Sequence, residues 1–281
     1  MDSASVSRNR ALDVFKGVLI LIVVLGHAIQ AAHGGEGNPI HDYIRSFQME
    51  LFFVASGIVS MYGNHKTAGQ RIKSYFTRLG VPYVCWIGLL LSVQVLIGAV
   101  DLTVWTIPHL LLCSQFWFFR ILLAILLGRE AFKVLKDRIG WNVAVSFALF
   151  ACFTLRLIPG MSGIAHYAVY FAVGCVFSSR GSALTMGEAS MLIRVLEWCG
   201  KNSLGLYAVH WNLFLVIGCK YCFDPHNLAL RGANEYGVAL VLFVVWATAS
   251  ALIVGAIRSS RLLSMLFLGE KRLRCRCMNL L

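Results

Sequence analysis

Charge is scarce in this chain. Only 14% of its 281 residues are Asp, Glu, Lys or Arg and 58% are hydrophobic. A soluble domain would carry about a quarter charged residues. The mean hydropathy of +0.73 excludes an ordinary soluble enzyme and points to an all-α, polytopic bundle of membrane helices. Acidic residues are scarcer still, 13 against 25 basic. The first apolar run has no A-x-A-like site before a polar mature chain, so it reads as a span and not as a cleaved signal peptide. The nine cysteines lack metal-ligand spacing. The pairs Cys219/Cys222 and Cys275/Cys277 have no second ligand pair beside them, so no metal site is expected. No internal repeat is visible, which counts against a transporter built from inverted repeats.

What is present is a series of apolar runs of about 18 to 22 residues that fill the whole length. Eight spans are expected, near 14–32, 44–62, 80–101, 107–128, 142–157, 163–177, from 202 onward, and 236–257. None of the chain reads as a soluble domain with its own core, so residues 1–281 are expected to form a single transmembrane domain. Taking those spans, 20 of the 25 basic residues fall on one side of the membrane. They lie around Arg8–Lys16, Lys66–Arg78, Arg129–Arg138, Arg180–Lys201 and Arg258–Arg276. By the positive-inside rule both termini are cytoplasmic, in a multi-pass protein of the cell (inner) membrane. The net charge of +12 then reports topology and attraction to anionic head groups, with nucleic acid a poor second reading.

Ionisable residues inside such spans are costly and mark function by default. Lys16 and His27 lie eleven residues apart in the first run. On a helix that is about 1100° of rotation and roughly 16 Å of rise, so both look out of one face. Glu50 lies just inside the second span, Arg120 within the fourth, and Ser203, Tyr207 and His210 share a face of the seventh. Pointed inward, His27, His210, Arg120 and Glu50 would place a base, a second imidazole, a fixed cation and a carboxylate in one cavity. That set suits general acid–base work on a hydroxyl with an oxyanion nearby. Blander readings stand beside each: packing histidines, a snorkelling Lys16, a structural ion pair at Arg120, aromatic belt residues at Trp117 and Phe118. A proton-coupled transporter is the alternative function, and a non-enzymatic scaffold the third class.

The motifs then suffice to name a family. Asp13, Lys16 and His27 give a basic residue, ten residues and a histidine in the first helix. Leu51-Phe-Phe-Val-Ala-Ser56-Gly57, Arg78-Leu-Gly-Val-Pro82-Tyr83, Phe116-Trp117-Phe118-Phe119 and Ser203-Leu-Gly-Leu-Tyr207-Ala-Val-His210 follow in order. The chain resembles the integral-membrane acyltransferase 3 family, and its lysine at the first position is similar to the fucose and glucose acetylase branch. Glu50 stands where that family commonly has Pro. The family typically has about ten spans, against the eight counted here.

The resemblance implies transfer of an acyl group, commonly acetyl, from acetyl-CoA to a sugar hydroxyl of a surface polysaccharide or glycolipid. Together with the intramembrane residues placed by depth, the expected catalytic set is His27, Lys16, Asp13, Glu50, Arg120 and His210, with His27 as general base. Substrate binding would fall to Arg71, Lys73 and Arg78 on the basic rim, and to Ser56, Trp117 and Tyr207 within the motifs. It implies no permanently bound cofactor; acyl-CoA is a substrate, and the partners are the glycan acceptor and the bilayer.

Overall fold

A computed structural model of the chain describes residues 9–33, 37–62, 66–96, 103, 106–113, 116–180, 190–210 and 235–270. Among them every regular element is helical. Both cysteine pairs, Asp101, Trp105 and the basic run from Lys271 lie outside the described residues.

Helix α1, Arg10–His33, starts where the Asn9 side chain accepts the Leu12 backbone N–H at 3.2 Å, and continues through an unbroken apolar run. Its buried residues Leu19, Ile20, Val23 and Val24 make it the central strut. Helix α2, Pro39–Arg45, is capped by Asn38, with Pro39 supplying the preset first turn. After a break at Ser46-Phe47 comes α3, Gln48–Met61. A capping box of Thr67 and Gln70 opens α4, Ala68–Tyr75. It continues through a π-helical turn, Phe76–Gly80, into α5, Val81–Leu96. Pro82 has no N–H to offer the preceding turn, and the wider π turn absorbs that missing bond without ending the helix.

Helices α6, Thr106–Cys113, and α7, Trp117–Ile139, meet at a 70° bend. Then follow α8, Trp141–Leu155, and α9, Ile164–Arg180. The remaining helices are α10, Met191–Lys201, α11, Ser203–Val209, α12, Glu235–Ser259, and α13, Arg261–Leu268.

Among the described residues, three helices are long and apolar enough to cross a bilayer: Arg10–His33, Ala68–Leu96 and Tyr236–Ser259. The bent pair of α6 and α7 makes a fourth if taken as one span. The expected second span is two helices, and its longer part, α3, has 14 residues. At 1.5 Å per residue that is about 21 Å, short of a hydrocarbon core of about 30 Å. The loop expected before the third span is largely the helix α4, and the expected loop of residues 33–43 contains the start of α2. Helices α8 and α9 lie where the fifth and sixth spans are expected, but at 15 and 17 residues they stand at or below the lower limit for a crossing. Phe147, Leu149, Phe150 and Phe153 on α8 are exposed, as side chains facing lipid would be.

Two helix crossings depend on glycine. Gly17 of α1 faces Gly200 of α10, where a Cβ on Gly17 would strike the carbonyl of Leu196 and one on Gly200 the carbonyl of Asp13. Gly57 of α3 and Gly174 of α9 meet in the same way, against the carbonyls of Phe171 and Val54. Without side chains the backbones close to direct contact, the small-residue packing favoured between membrane helices.

An ion pair also fastens α10 to α1: Arg10 Nε lies 2.9 Å from a Glu197 carboxylate oxygen, and Lys201 pairs with the other oxygen. Lys201 first, and Arg10 after it, hold the Glu197 carboxyl below the usual carboxylate range, although burial opposes them. A carboxyl whose folded pKa is lowered gives stability that is full above its unfolded pKa and lost as pH falls through the folded value. Wild type should therefore lose more unfolding temperature than Glu197→Gln when detergent-purified protein is taken from pH 6 to pH 3.5.

Candidate active site

A cavity of about 370 Å³ opens among α1, α3, α4, the π-helical turn, α7 and α11. Lys16, Lys66, Arg71 and Arg78 line it together with Tyr62, Ser74 and Tyr75. The rest of its lining is mostly apolar and includes Met49, Phe52, Phe118, Leu122 and Tyr207, with the hydroxyls of Ser56, Ser60 and Ser203 among them. Along α3 the lining runs from Met49 to Tyr62. That is thirteen helical steps, or about 20 Å. The result is a basic mouth leading into an apolar shaft that ends on Tyr207.

At the mouth Lys16 Nζ pairs with Asp13 at 2.9 Å, and Asp13 itself is 3% exposed. Arg71 is held by Glu130 of α7. Arg78 sits on the π turn next to the cavity, while Lys73 is exposed and does not line it. Of the six substrate-binding residues expected from the sequence, Ser56, Arg71, Arg78 and Tyr207 line this one cavity. Trp117 is packed instead in an aromatic stack, its ring 5.1 Å from Tyr167, which lies 4.5 Å from Phe53.

Beyond Tyr207 lie the two histidines. The Tyr207 and His210 rings are 5.8 Å apart, and those of His210 and His27 are 5.5 Å apart. The partners of each ring bear on its tautomer. His210 Nδ1 is 2.9 Å from the Leu206 carbonyl, which can only accept, so Nδ1 carries the proton. His210 Nε2 is then the lone-pair nitrogen, buried with no hydrogen-bond partner among the described residues. His27 Nδ1 is 3.2 Å from Gln30 Oε1, a partner that suits a proton on Nδ1 and a lone pair on Nε2. Gln30 was not anticipated from sequence, although its position one helical turn after His27 was the available signal. Gln30→Leu frees the ring to rotate and to change tautomer. It should lower kcat for acyl transfer about tenfold with little change in donor KM, a split measured by steady-state kinetics.

The other two intramembrane charges are elsewhere. Arg120 Nη1 donates to the Tyr83 hydroxyl at 3.3 Å and to the Leu111 carbonyl at 3.2 Å, and Nη2 donates to the Gly160 carbonyl at 2.8 Å. The Tyr83 hydroxyl donates to the Leu111 carbonyl as well. These groups meet carbonyls that the end of α6 and the turn at Gly160 leave without helical donors. Glu50 accepts from His166 Nε2 of α9 at 3.0 Å, and its second oxygen is buried without a partner among the described residues. The structure thus brings His27 and His210 together, with Tyr207 between them and the cavity. It sets Arg120 at the α6–α7 bend and Glu50 against α9. His166 and Glu130 had no signal in the sequence, because each pairs with a residue more than fifty positions away.

Comparison with known proteins gives one assignment. A family model described as an acyltransferase domain matches residues 9–190, from the start of α1 to just before α10. Neither curated proteins nor solved structures give a match. The matched region contains Asp13, Lys16, His27, Glu50 and Arg120 and most of the cavity lining, and ends before Tyr207 and His210. With its apolar, membrane-length helices, the chain is a membrane acyltransferase and belongs to the acyltransferase 3 family.

Proposed function

We propose that this acyltransferase takes an acyl group, acetyl in the first instance, from acyl-CoA in the cytoplasm and esterifies a sugar hydroxyl of a cell-surface polysaccharide or glycolipid, with His27 as general base. The observation that carries the reading is the order of parts: one cavity about 20 Å long from its basic mouth through a mainly apolar interior to Tyr207, then the histidine pair. A CoA thioester has a polyanionic nucleotide end and a long, thin arm that ends in the reactive carbonyl. Lys16, Lys66, Arg71 and Arg78 suit the phosphates, and the shaft suits the arm. The thioester would then arrive beside Tyr207, close to the lone-pair nitrogens of the imidazoles.

In the reaction the sugar oxygen attacks the thioester carbonyl carbon. His27 Nε2 takes the hydroxyl proton as the C–O bond forms. The tetrahedral intermediate collapses, the C–S bond breaks, and the CoA thiolate leaves with a proton returned from the imidazolium. His210 faces the same centre from the opposite helix. Lys16, tied to Asp13, faces the phosphates at the mouth. Arg120 contributes by fixing the α6–α7 bend next to Phe119, whose ring is 5.9 Å from Tyr207.

The topology belongs to the same proposal. Eight spans in a single domain of residues 1–281, both termini cytoplasmic, would put the basic mouth in contact with the cytoplasmic acyl-CoA pool of the inner membrane. Mass spectrometry of envelope glycans from cells with and without the protein tests the reading. Base-labile acetyl esters present only with the wild-type protein are expected; identical ester content in both would overturn it.

A further inference from the structure

Glu130 is a carboxylate in the middle of a basic region, and it is 3% exposed. All of its acceptor capacity is used. One oxygen takes Arg71 Nε at 2.9 Å and Arg71 Nη2 at 2.5 Å. The other takes the Tyr75 hydroxyl at 3.1 Å and Arg129 Nη1 at 3.1 Å. Arg71 gives a further N–H to the Lys66 carbonyl. Arg71, Tyr75 and Lys66 all line the cavity, whereas Glu130 stands behind them on α7.

We propose that Glu130 is a positioning residue, which fixes the Arg71 guanidinium at the mouth of the cavity as a preset fork for a phosphate of the acyl-CoA donor. The inference rests on the donor reading above and deepens it. Three of the five Arg71 N–H groups are committed to Glu130 and Lys66, so the plane of the guanidinium is fixed and its remaining N–H groups have set directions. An arginine loses rotamer freedom when it is immobilised, and here that cost falls before the ligand arrives. Stability alone is a poor reason for the arrangement, because a buried ion pair is commonly matched by apolar side chains of similar volume. What apolar packing could not supply is an oriented cation on the cavity wall. Glu130 also allows two arginines, Arg71 and Arg129, to lie against one carboxylate, so the cluster keeps a net positive charge toward an anionic ligand.

The sign of one measurement separates positioning from charge balance. If Glu130 only neutralised its neighbours, removing its charge would make the mouth more positive and CoA would bind more tightly. If it positions Arg71, binding weakens despite the added positive charge. The full-length protein in detergent is titrated with CoA by calorimetry, as wild type, Glu130→Gln and Glu130→Asp. Glu130→Asp keeps the charge but withdraws the carboxylate by one methylene, breaking the two-point contact with Arg71, so it covers the case in which Glu130→Gln does not fold. Both variants should bind CoA about tenfold more weakly, which is about 1.4 kcal/mol. In turnover the loss should fall on donor KM and not on kcat. Unchanged or tighter CoA binding by a folded variant overturns the proposal and leaves the donor reading standing. Failure of the wild type to bind CoA removes the donor reading, and this proposal with it.

Discussion

His27→Ala should lower acyl transfer about 10³-fold while CoA still binds, because removal of a positioned general base costs 10² to 10⁴ in rate. The separation of effects follows from the geometry. His27 does not line the cavity; it lies past Tyr207, across from His210. Its loss therefore spares the basic mouth and the cavity lining and removes only the proposed acceptor of the hydroxyl proton. His27→Gln is a second version that keeps a polar side chain on the same turn of α1. A comparable loss with both variants, at unchanged CoA affinity by calorimetry, would fit a base; a loss of CoA affinity instead would place His27 in donor binding.

The second large effect is structural. Gly17→Val and Gly200→Val should each prevent recovery of folded protein, because the added Cβ meets backbone and not a side chain that could turn away. Helix α1 carries Lys16 and His27, so α10 cannot be pushed off Gly17 without moving both. Overpacking a yielding core costs about 1 to 3 kcal/mol, and a backbone clash at a helix crossing lies at or above that range. Gly128→Ala is the control, since a Cβ there meets nothing within 4 Å. Size-exclusion profiles of fluorescently tagged variants make the comparison: a monodisperse peak for Gly128→Ala, and loss of the peak for the two valines. A normal peak for Gly17→Val would mean that α1 and α10 do not cross as closely as described.

Much of this was legible in the chain itself. The apolar run of α1 and the eleven-residue spacing of Lys16 and His27 were readable because both depend only on helical period. The same holds for α8, α9 and α12. Helix α2 carried its own signal, Asn38 before Pro39, although residues 33–43 read as loop. The bend between α6 and α7 was not readable as a bend: only Ser114 and Gln115 interrupt the apolar run, and the Arg120 contacts to the carbonyls of Leu111 and Gly160 that accompany it join residues distant in sequence or on separate helices. The charged residues were found individually, but not their partners. Depth along separate helices suggested one cavity for His27, His210, Arg120 and Glu50. Depth does not fix rotation about each axis, and rotation turns Glu50 to His166 and Arg120 to the bend. Glu130 was hidden for a related reason: it lies in a basic segment with Arg129, Lys133, Lys136 and Arg138, and nothing local indicates Arg71.

The central claim is that acyl-CoA enters at Lys16, Lys66, Arg71 and Arg78 and delivers its acyl end to Tyr207 and the histidines. Photolabelling tests it most directly, with an acyl-CoA analogue that carries a photoreactive group at the acyl terminus, followed by peptide mapping of the purified protein. The account requires CoA-protectable labelling on the inner lining, at Met49, Phe52, Phe118, Leu122 or Tyr207. Labelling confined to the exposed face of α8, or labelling that excess CoA does not suppress, would contradict it.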